Sequence, residues 1–418
     1  MLRYQEIFVP GGFPRHTYNP RTALNLEQRL EECKDNLCKL VTITGHTKSG
    51  KTVLTRKVLP PEESIWIDGG AVSQEEEFWQ IIVEKLELFQ GSEDDHSSES
   101  SNTLGAKGSA GANFLVVEGK GEINASTNQK TGASTKRSRT LSSRVVALTG
   151  LSTAQIPVVI DDFHYLPREL QGSIVRALKP LVFDGLPVVV IAIPHRRYDA
   201  MKVEREMTGR ILSIEIPVWS EEELSYIPKI GFELLNHPVT SVTTQQLAHE
   251  AIGSPHLMQD FCRGIARQKN IIQTPGTIPL ILDQEELSSI LFDVAETIGR
   301  PIFEKLARGP RQRTDRVERK LKSGRTVDIY ELVLHALAHI KPGLVSLEYE
   351  HLRSAIREVS ALQIPQLHEV VRVLKHMATI AASDQSSTPV IDFEESDKKL
   401  HITDPFFAFY LRWGQLGE

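Results

Sequence analysis

The sequence predicts an α/β core of three layers built on a parallel sheet, followed by a helical lid and a C-terminal winged-helix domain. Three observations predict this class. Nearly continuous runs of Val, Ile and Leu alternate with helical stretches, which is typical of parallel strands buried on both faces. A purely helical pattern begins at Ser220 and continues to about residue 272. Two short strand patterns, at 389–392 and 399–402, follow the C-terminal helices and indicate a wing.

The elements of the core are predicted from hydrophobic periodicity. Apolar runs of strand length occur at 40–44, 64–67, 157–160, 187–193 and 211–216. Helical spacing of apolar residues occurs at 24–39, 73–89, 168–181 and 196–208. A chain of 418 residues, 40% of them hydrophobic and 24% charged, exceeds what one core usually organises, so more than one domain is expected.

We therefore predict four regions. They are the core at 1–219, which carries a polar insertion at about 91–140, the lid at 220–275, a basic helical linker at 276–326 and the winged-helix-like domain at 327–418. The insertion is rich in Ser, Gly, Asn, Thr and charge, which is typical of a solvated segment. Within it, apolar residues at 114–117 and 122–124 flank Gly119-Lys120-Gly121, a pattern that predicts a projecting β-hairpin.

Bulk composition excludes several classes of protein. The net charge of −6 and pI near 6.2 give no global field that would attract nucleic acid, so such binding would need a local patch. Three cysteines, Cys33, Cys38 and Cys262, are too few for a disulfide framework and lack zinc-ligand spacing. The N-terminus shows no export signal, and no apolar run reaches the length of a membrane span. A cytoplasmic protein without membrane attachment is expected.

A glycine-rich turn joins the first predicted strand to the next helix. Its residues are Gly45, His46, Thr47, Lys48, Ser49, Gly50, Lys51 and Thr52, and Val53 follows. They match G-x-x-x-x-G-K-[ST] in the required strand-to-helix context. Glycines let backbone amides face phosphate oxygens, while Lys51 supplies a positive charge and Thr52 a magnesium ligand. The turn therefore predicts a P-loop that binds ATP and Mg²⁺.

Two carboxylates end the apolar strand at 156–160. Asp161 is predicted to hold Mg²⁺, and Asp162 to orient the water that attacks the γ-phosphate. The alternative is that the pair caps the helix that follows, as Asp often does. With a P-loop about 110 residues upstream, the catalytic interpretation is favoured.

The layout resembles the AAA+ ATPases and, among them, the STAND signalling ATPases and the origin-recognition initiators. Tyr18-Asn19-Pro20-Arg21 resembles the box that lines the adenine pocket in those families, which assigns Tyr18 and Arg21 to nucleotide binding. The run Asp161-Asp162-Phe163-His164-Tyr165 resembles the STAND form of the acidic strand end. Gly253-Ser254-Pro255 resembles the STAND G-x-P signature, which implies that Pro255 lies near the nucleotide.

Three further residues are assigned by their position relative to this family pattern. His195 stands where many AAA+ proteins carry a polar sensor, and a surface or capping histidine is the alternative. Arg205 and Arg210 precede the last core strand, where an arginine finger reaches a neighbouring subunit; Arg210 is favoured, and solvated helix charge is the alternative. A finger acting in trans implies a homo-oligomer.

The stretch 300–325 is a candidate for nucleic-acid binding. It holds ten Lys or Arg residues against three acidic ones, and such a run can neutralise several phosphates. An exposed face or a docking surface for an acidic partner is the favoured alternative. The predicted recognition helix, about 365–379, carries few basic groups. The aromatic run within 404–413 is more typical of a core than of a ligand site.

The leading hypothesis for function is an ATP-binding and ATP-hydrolysing switch that oligomerises and regulates a protein partner or effector, with antiviral defence and mobile-element control as candidate settings. Asp162, in place of the Glu usual in AAA+ motors, favours slow turnover. The alternative is a DNA-binding initiator or transposition-regulator ATPase. A third hypothesis is a peptide-threading motor that uses the 112–124 hairpin.

Overall fold

The computed structural model describes residues 1–35, 37–88, 91–95, 136–193, 209–311, 316–361, 364–383 and 389–416. The strands of the first half of the chain are β1 (Leu40–Gly45), β2 (Ile65–Asp68), β3 (Gly91–Asp95), β4 (Lys136–Thr140), β5 (Val158–Asp161), β6 (Val188–Ala192) and β7 (Ile211–Ile216). Five of them form one sheet in the order β2, β5, β6, β1, β7, and every neighbouring pair is parallel. The predicted parallel sheet is confirmed.

Helices cover both faces of this sheet, which confirms the three layers. The covering helices are α2 (Leu26–Glu31), α3 (Lys51–Val58), α4 (Glu75–Lys85), α5 (Ser143–Ala154) and α6 (Arg168–Phe183), whereas the short α1 (Tyr4–Ile7) packs with helices of the second half of the chain. One face buries its apolar residues against α4, α5 and α6, and the other against α2 and α3. Since β1, β5 and β6 are buried between these layers, their residues are buried on both faces, and only Thr42 and Thr44 in β1 and Asp161 at the end of β5 are polar.

Two predicted helices are shorter than their periodicity suggested. The helix expected at 24–39 is α2 alone, between 3₁₀ turns at Thr22–Leu24 and Glu32–Lys34. Asn25, at its start, has a φ of 50°, outside the helical region. The helix expected at 73–89 ends at Lys85, because Glu87 has a φ of 52° and the Leu88 amide bonds back to the carbonyl of Val83.

The predicted insertion is closed at its base by a pair of strands. β3 and β4 are antiparallel, with Gly91 opposite Thr140 and Asp95 opposite Lys136. The hairpin predicted at 112–124 and the helix predicted at 196–208 lie outside the described residues.

The second half of the chain is mostly helical. Its helices are α7 (Glu221–Leu234), α8 (Ser241–Glu250), α9 (Pro255–Gln268), α10 (Gln284–Ile298), α11 (Arg300–Arg308), α12 (Ile329–Ile340), α13 (Tyr349–Val359), α14 (Leu367–Ala382) and α15 (Pro405–Trp413). Its strands are β8 (Arg319–Lys320), β9 (Thr326–Val327), β10 (Ser346–Glu348), β11 (Ile391–Glu394) and β12 (Lys399–Ile402). Among the helices of the described residues, none is both long and apolar enough to cross a membrane.

This helical half buries its apolar residues in one continuous cluster. The cluster runs from Leu224 in α7 to Leu411 in α15 and also takes in Ile7 and Phe8 near the N-terminus. The lid, the stretch predicted as a linker and the C-terminal region therefore share one core. This core is separate from the two apolar clusters that flank the five-stranded sheet in the first half of the chain, which we call the sheet half. Within it, α12, β10, α13, α14, β11 and β12 follow one another, and β12 pairs antiparallel with β10 and β11. This is the order expected for a winged helix.

Candidate nucleotide site between the two halves

The turn between β1 and α3 has the backbone of an anion-binding loop. Lys48 and Gly50 have φ values of 61° and 93°, and such left-handed positions let successive amides converge on one point. A Cβ on Gly45 would lie 2.9 Å from the carbonyl oxygen of Ile216, so this position requires glycine. The first turn of α3 adds amides that have no partner within the helix. The predicted loop residues therefore form a concave donor surface.

Lys51 lies at the centre of this loop, on α3. Its side chain is buried, and Nζ donates hydrogen bonds to the carbonyls of Gly45 at 2.9 Å and His46 at 2.8 Å. Burial lowers the pKa of Lys51 to about 8, against the opposing charges of Asp162 and Asp161. An anion in the loop would favour the charged amine and give Nζ a stronger acceptor than the two carbonyls.

Thr52 and Asp161 meet at the carboxyl edge of the sheet. Thr52 Oγ1 lies 3.3 Å from Asp161 Oδ1, and the same carboxylate oxygen accepts the Asp162 amide at 3.0 Å. Burial raises the pKa of Asp161. A hydroxyl and a carboxylate are hard oxygen donors of the kind that Mg²⁺ takes beside nucleotide phosphates. These residues fit the predicted cation.

Asp162 follows in the left-handed region, with a φ of 50°. It begins a 3₁₀ turn at Phe163–Tyr165, but its side chain makes no capping hydrogen bond. Burial, together with the neighbouring charge of Asp161, raises the pKa of Asp162 to about 6. The carboxylate borders the cavity beside the P-loop. This arrangement differs from that of a helix cap and leaves the carboxylate available to a water molecule.

The end of β2 lies beside these two carboxylates, and its residues were not predicted as part of the site from the sequence. Asp68 ends β2 directly beside Asp161 in the register. A Cβ on Gly69 would lie 2.6 Å from the Asp162 carbonyl oxygen, so only glycine allows the two strand ends to approach this closely. The sequence signal that could have identified this strand end is Asp68-Gly69-Gly70, which follows a predicted strand.

The cavity next to the loop has a volume of about 770 Å³ and is lined by both halves of the molecule. The sheet half contributes the residues from Thr47 to Leu54 together with Asp162. The N-terminal segment contributes Phe13 and Tyr18, whose rings are nearly parallel at 6.3 Å between centroids. Burial raises the pKa of Tyr18, so its hydroxyl stays protonated. The position of Tyr18 fits the predicted adenine side of the pocket.

Arg21 borders the same cavity, but its guanidinium donors are used elsewhere. Nε and Nη2 bond to the two carboxylate oxygens of Glu223 in α7, at 2.9 and 2.8 Å. Nη1 donates to the Pro217 carbonyl at 3.0 Å, and Nη2 to that of Val218 at 3.3 Å. These hydrogen bonds join the sheet half to the helical half, and the role of Arg21 towards the adenine stays a prediction.

The helical half lines the phosphate side of the cavity. Pro255 is the first residue of α9 and lines the cavity, and its place near a nucleotide stays a prediction. The next residue, His256, lies against the ring of Phe406 from α15, with 4.9 Å between centroids. The Lys48 ammonium lies 5.3 Å from the centroid of the same Phe406 ring. A C-terminal aromatic residue thus reaches the P-loop.

The aromatic run at the C-terminus is core except at this one contact. Phe407, Phe409 and Tyr410 are buried, as predicted, whereas Phe406 lines the cavity. The buried Asp404 caps α15 by accepting the Phe407 amide at 2.9 Å. No motif pointed to Phe406, since its role depends on how the C-terminal helix packs against the lid.

The remaining predicted site residues lie away from the cavity or outside the described residues. His195 and Arg205 belong to the second group. The Arg210 carbonyl accepts the Leu40 amide at 3.0 Å, which places Arg210 at the amino edge of the sheet, opposite the P-loop. Its guanidinium lies 5.2 Å from the centroid of the Phe183 ring. Arg210 is thus remote from its own P-loop, and its action on a neighbour's site stays a prediction.

Much of the basic charge at 300–325 is paired within the chain. Arg316 pairs with Asp328, Arg319 with Glu369 at 3.0 Å, Lys322 with Glu358 at 3.7 Å and Arg325 with Glu331 at 3.8 Å. On the predicted recognition helix, Lys375 pairs with Glu395. Paired cations neutralise fewer phosphates, so these contacts favour the alternative of an exposed charged face. Arg313 lies outside the described residues.

Comparisons with known proteins give distant structural matches. No family model and no curated protein matches the chain. A Walker-type ATPase of Pyrococcus abyssi matches with a TM-score of 0.49 and 18% identity over 93% of this chain and 94% of that one. The ORC2 protein of Aeropyrum pernix matches with a TM-score of 0.47 and 12% identity over 95% of each chain. Cdc6p of Pyrobaculum aerophilum matches with a TM-score of 0.42 and 12% identity over 97% and 96%.

Matches at this level carry no inference about activity, so the site is interpreted from the chain's own residues. The sheet order, the loop between β1 and α3 and the carboxylates that end β5 together form the three-layer α/β core predicted from the sequence, joined to a helical half. The resemblance to the AAA+ ATPases of the origin-recognition and STAND type rests on the sequence motifs.

Proposed function

We propose that this protein binds ATP with Mg²⁺ and hydrolyses it slowly, as a molecular switch. The observation that carries the proposal is the meeting of Lys51, Thr52, Asp161 and Asp162 at one edge of the sheet, beside a cavity lined by both halves. Thr52 lies 109 residues before Asp161 and 110 before Asp162 in the sequence. The pairing of β1 with β6 and of β6 with β5 brings them to the same edge of the sheet.

Each residue has a distinct role in this proposal. The amides of the loop and of α3 hold the phosphates, and Lys51 exchanges the carbonyls of Gly45 and His46 for phosphate oxygens. Thr52 and Asp161 hold the cation, which when bound would neutralise phosphate charge. Asp162 accepts a hydrogen bond from water and so orients it. Its short side chain leaves more freedom to that water than a Glu would, which favours slow turnover.

The cavity supports a switch because it is divided between two bodies. A ligand that contacts both the P-loop and the wall formed by Pro255 and Phe406 binds the closed arrangement more tightly than an open one. Regulation of a protein effector, assembly through Arg210 and a setting in antiviral defence or mobile-element control are finer parts of the proposal. They rest on the sequence resemblance.

The test is to separate binding from hydrolysis in two variants. Lys51→Ala is expected to lose ATP binding, measured by calorimetry with ATP and Mg²⁺, because the phosphates lose their nearest positive charge. Asp162→Asn is expected to keep ATP binding but to lower the hydrolysis rate by about 100-fold, because it removes the carboxylate that accepts a hydrogen bond from the attacking water. Lys85→Ala, an exposed position at the end of α4, serves as the control.

Two results would contradict the assignment. Full-strength ATP binding by Lys51→Ala would show that the loop does not hold the phosphates. Equal loss of binding in Lys51→Ala and Asp162→Asn would show that the roles given to the β5 carboxylates are wrong.

A further inference from the structure

Within the residues that the structure describes, the chain passes between the two halves at two places. The N-terminal residues Ile7 and Phe8 are packed in the helical half, whereas Leu26 in α2 belongs to the sheet half, so residues 9–25 form the first crossing. The chain returns after Ile216, the last residue of β7, and Leu224 is again part of the helical core. Residues 217–223 therefore form the second crossing.

Arg21 lies on the first crossing and bonds to the second. Its guanidinium is bidentate to Glu223 and also donates to the carbonyls of Pro217 and Val218. Asn19 adds a hydrogen bond from Nδ2 to the Glu223 carbonyl at 3.0 Å. Arg21 is 6% exposed and has a φ of 49°, so its backbone is held in an uncommon conformation by its surroundings. Arg21 thus makes most of the hydrogen bonds that hold the two crossings together, and Asn19 adds one more.

The same cluster touches the P-loop through Trp219. The indole Nε1 donates to the Ser49 carbonyl at 2.8 Å, and the Arg21 guanidinium lies 4.7 Å from the centroid of the indole ring. On its other side, Glu223 completes the capping box of α7, with its Oε2 accepting the Ser220 amide at 2.9 Å. A continuous set of contacts therefore leads from the P-loop through Trp219 and Arg21 to the first turn of the lid.

We propose that Arg21 is a positioning residue that locks the two crossings together and so fixes the angle at which the lid faces the P-loop. The inference rests on the proposed function, since it assigns Arg21 to coupling between the nucleotide site and the helical half. A planar guanidinium with five fixed donors suits this place, because it satisfies a carboxylate and two carbonyls at once. Lysine keeps the charge but cannot make the bidentate pair.

The lock predicts how substitutions affect the arrangement of the two halves. In Arg21→Lys and Arg21→Ala, the halves are expected to sample a range of angles, and ATP binding is expected to weaken on the order of tenfold. Glu223→Gln is expected to have a smaller effect of the same kind. Glu223→Gln added to Arg21→Ala is expected to cost little more than Arg21→Ala alone, because Arg21→Ala has already removed the contact between the two side chains, while Gln keeps the capping bond to Ser220.

The experiment is a distance measurement between spin labels on the two halves of the full chain. Labels are placed at Ser152→Cys in α5 and Glu285→Cys in α10, both exposed, in a Cys38→Ser background. The doubly labelled protein that keeps Arg21 is expected to give one narrow distance distribution. The labelled Arg21→Lys variant is expected to give a broad one, both with and without ATP. Arg144→Ala, which removes a half-exposed ion pair to Glu75 within the sheet half, is the matched control and should leave the distribution narrow.

Distributions that stay equally narrow in Arg21→Lys and Arg21→Ala would overturn the inference. The mild Arg21→Lys and Glu223→Gln variants keep the test valid where Arg21→Ala fails to fold. The comparison without ATP does not depend on the proposed function. If the wild-type protein does not bind ATP, the proposed function fails, but a broad distance distribution in Arg21→Lys still supports the lock.

Discussion

The sheet half and the helical half differ in how the sequence determines their functional residues. The sheet half places its functional residues on two strand ends, where short motifs with fixed spacing hold Lys51 and the Asp161–Asp162 pair. The helical half contributes Trp219, Glu223, His256 and Phe406 through packing, and no motif contains all of them. The proposed function thus assigns the chemistry to the sheet half and the closure of the site to the helical half. Substitutions in the first should change kcat, and substitutions in the second should change affinity and coupling.

The largest expected effect concerns Arg210, at the amino edge of the sheet half. If it serves a neighbouring subunit, Arg210→Ala should lower hydrolysis by about 1,000-fold, because it removes a positive charge from the transition state. Mixing Arg210→Ala with Lys51→Ala should restore part of the activity, since one interface then joins an intact P-loop to an intact finger. Specific activity that is unchanged over a hundredfold dilution, with no rescue on mixing, would make Arg210 ordinary surface charge.

Gly69 tests the chemistry of the sheet half without removing a functional group. Gly69→Ala places a Cβ 2.6 Å from the Asp162 carbonyl oxygen, so the strand end must shift. Hydrolysis is expected to fall by about 100-fold with ATP affinity nearly unchanged, because displacements of about 1 Å in a reacting group have effects of this size. Gly70→Ala is the control, since its Cβ would meet the Asp68 side chain at 3.2 Å. Similar rates in both variants would contradict the placement of Asp162.

Trp219 tests the opposite half of the comparison. Trp219→Phe keeps an aromatic ring near Arg21 but removes the indole hydrogen bond to the Ser49 carbonyl. A hydrogen bond contributes about 1 kcal/mol net, so ATP affinity is expected to fall by about fivefold, with kcat nearly unchanged. Calorimetry and steady-state rates give the two values. A fall in kcat without a change in affinity would place Trp219 with the chemistry.

The last expected effect is on stability alone and involves Asp260 in α9. Burial raises the pKa of Asp260 to about 6, against the opposing charges of Arg263 and Lys48, and the His256 Nε2 atom lies 3.6 Å from its Oδ2. A raised carboxyl pKa means that the charged form destabilises the fold above that pKa, and the penalty is lost as pH falls through 6 towards 4. Asp260→Asn is therefore expected to stabilise the protein by about 1–2 kcal/mol at pH 7, a value reduced for partial exposure to solvent.

The check on this prediction is denaturant unfolding at two pH values. The gain from Asp260→Asn should be present at pH 7 and absent near pH 4. A gain of equal size at both would show that the charge of Asp260 is not its cause.

The sequence predicted the parallel sheet and the P-loop because both depend on local patterns. The buried parts of β5 and β6 are apolar throughout, and the loop requires Gly45 and Gly50 at fixed positions. The two shortened helices were overpredicted because apolar spacing continues where the backbone leaves the α-helical form, which happens in the 3₁₀ turn at Glu32–Lys34 after α2 and at Glu87, with its positive φ, after α4.

The rest of the site depends on contacts between residues far apart in the sequence. Arg21 was assigned to the nucleotide from its motif, but its partner Glu223 lies 202 residues away, and only the folded chain shows the pair. Phe406 reaches the P-loop because α15 packs against the lid, an arrangement that no local period encodes. The basic stretch at 300–325 was weighed as a nucleic-acid site from its charge count, whereas its acidic partners lie at Asp328, Glu331, Glu358 and Glu369.

The central claim is that one nucleotide site is formed jointly by the two halves. Amide hydrogen exchange with a slowly hydrolysed ATP analogue and Mg²⁺ tests it most directly, with Lys51→Ala as the control. The account predicts protection both in the P-loop at 45–53 and, in the helical half, around 253–257 and 404–407, all of it lost in Lys51→Ala. Protection confined to the P-loop, with no change in the helical segments, would contradict the shared site.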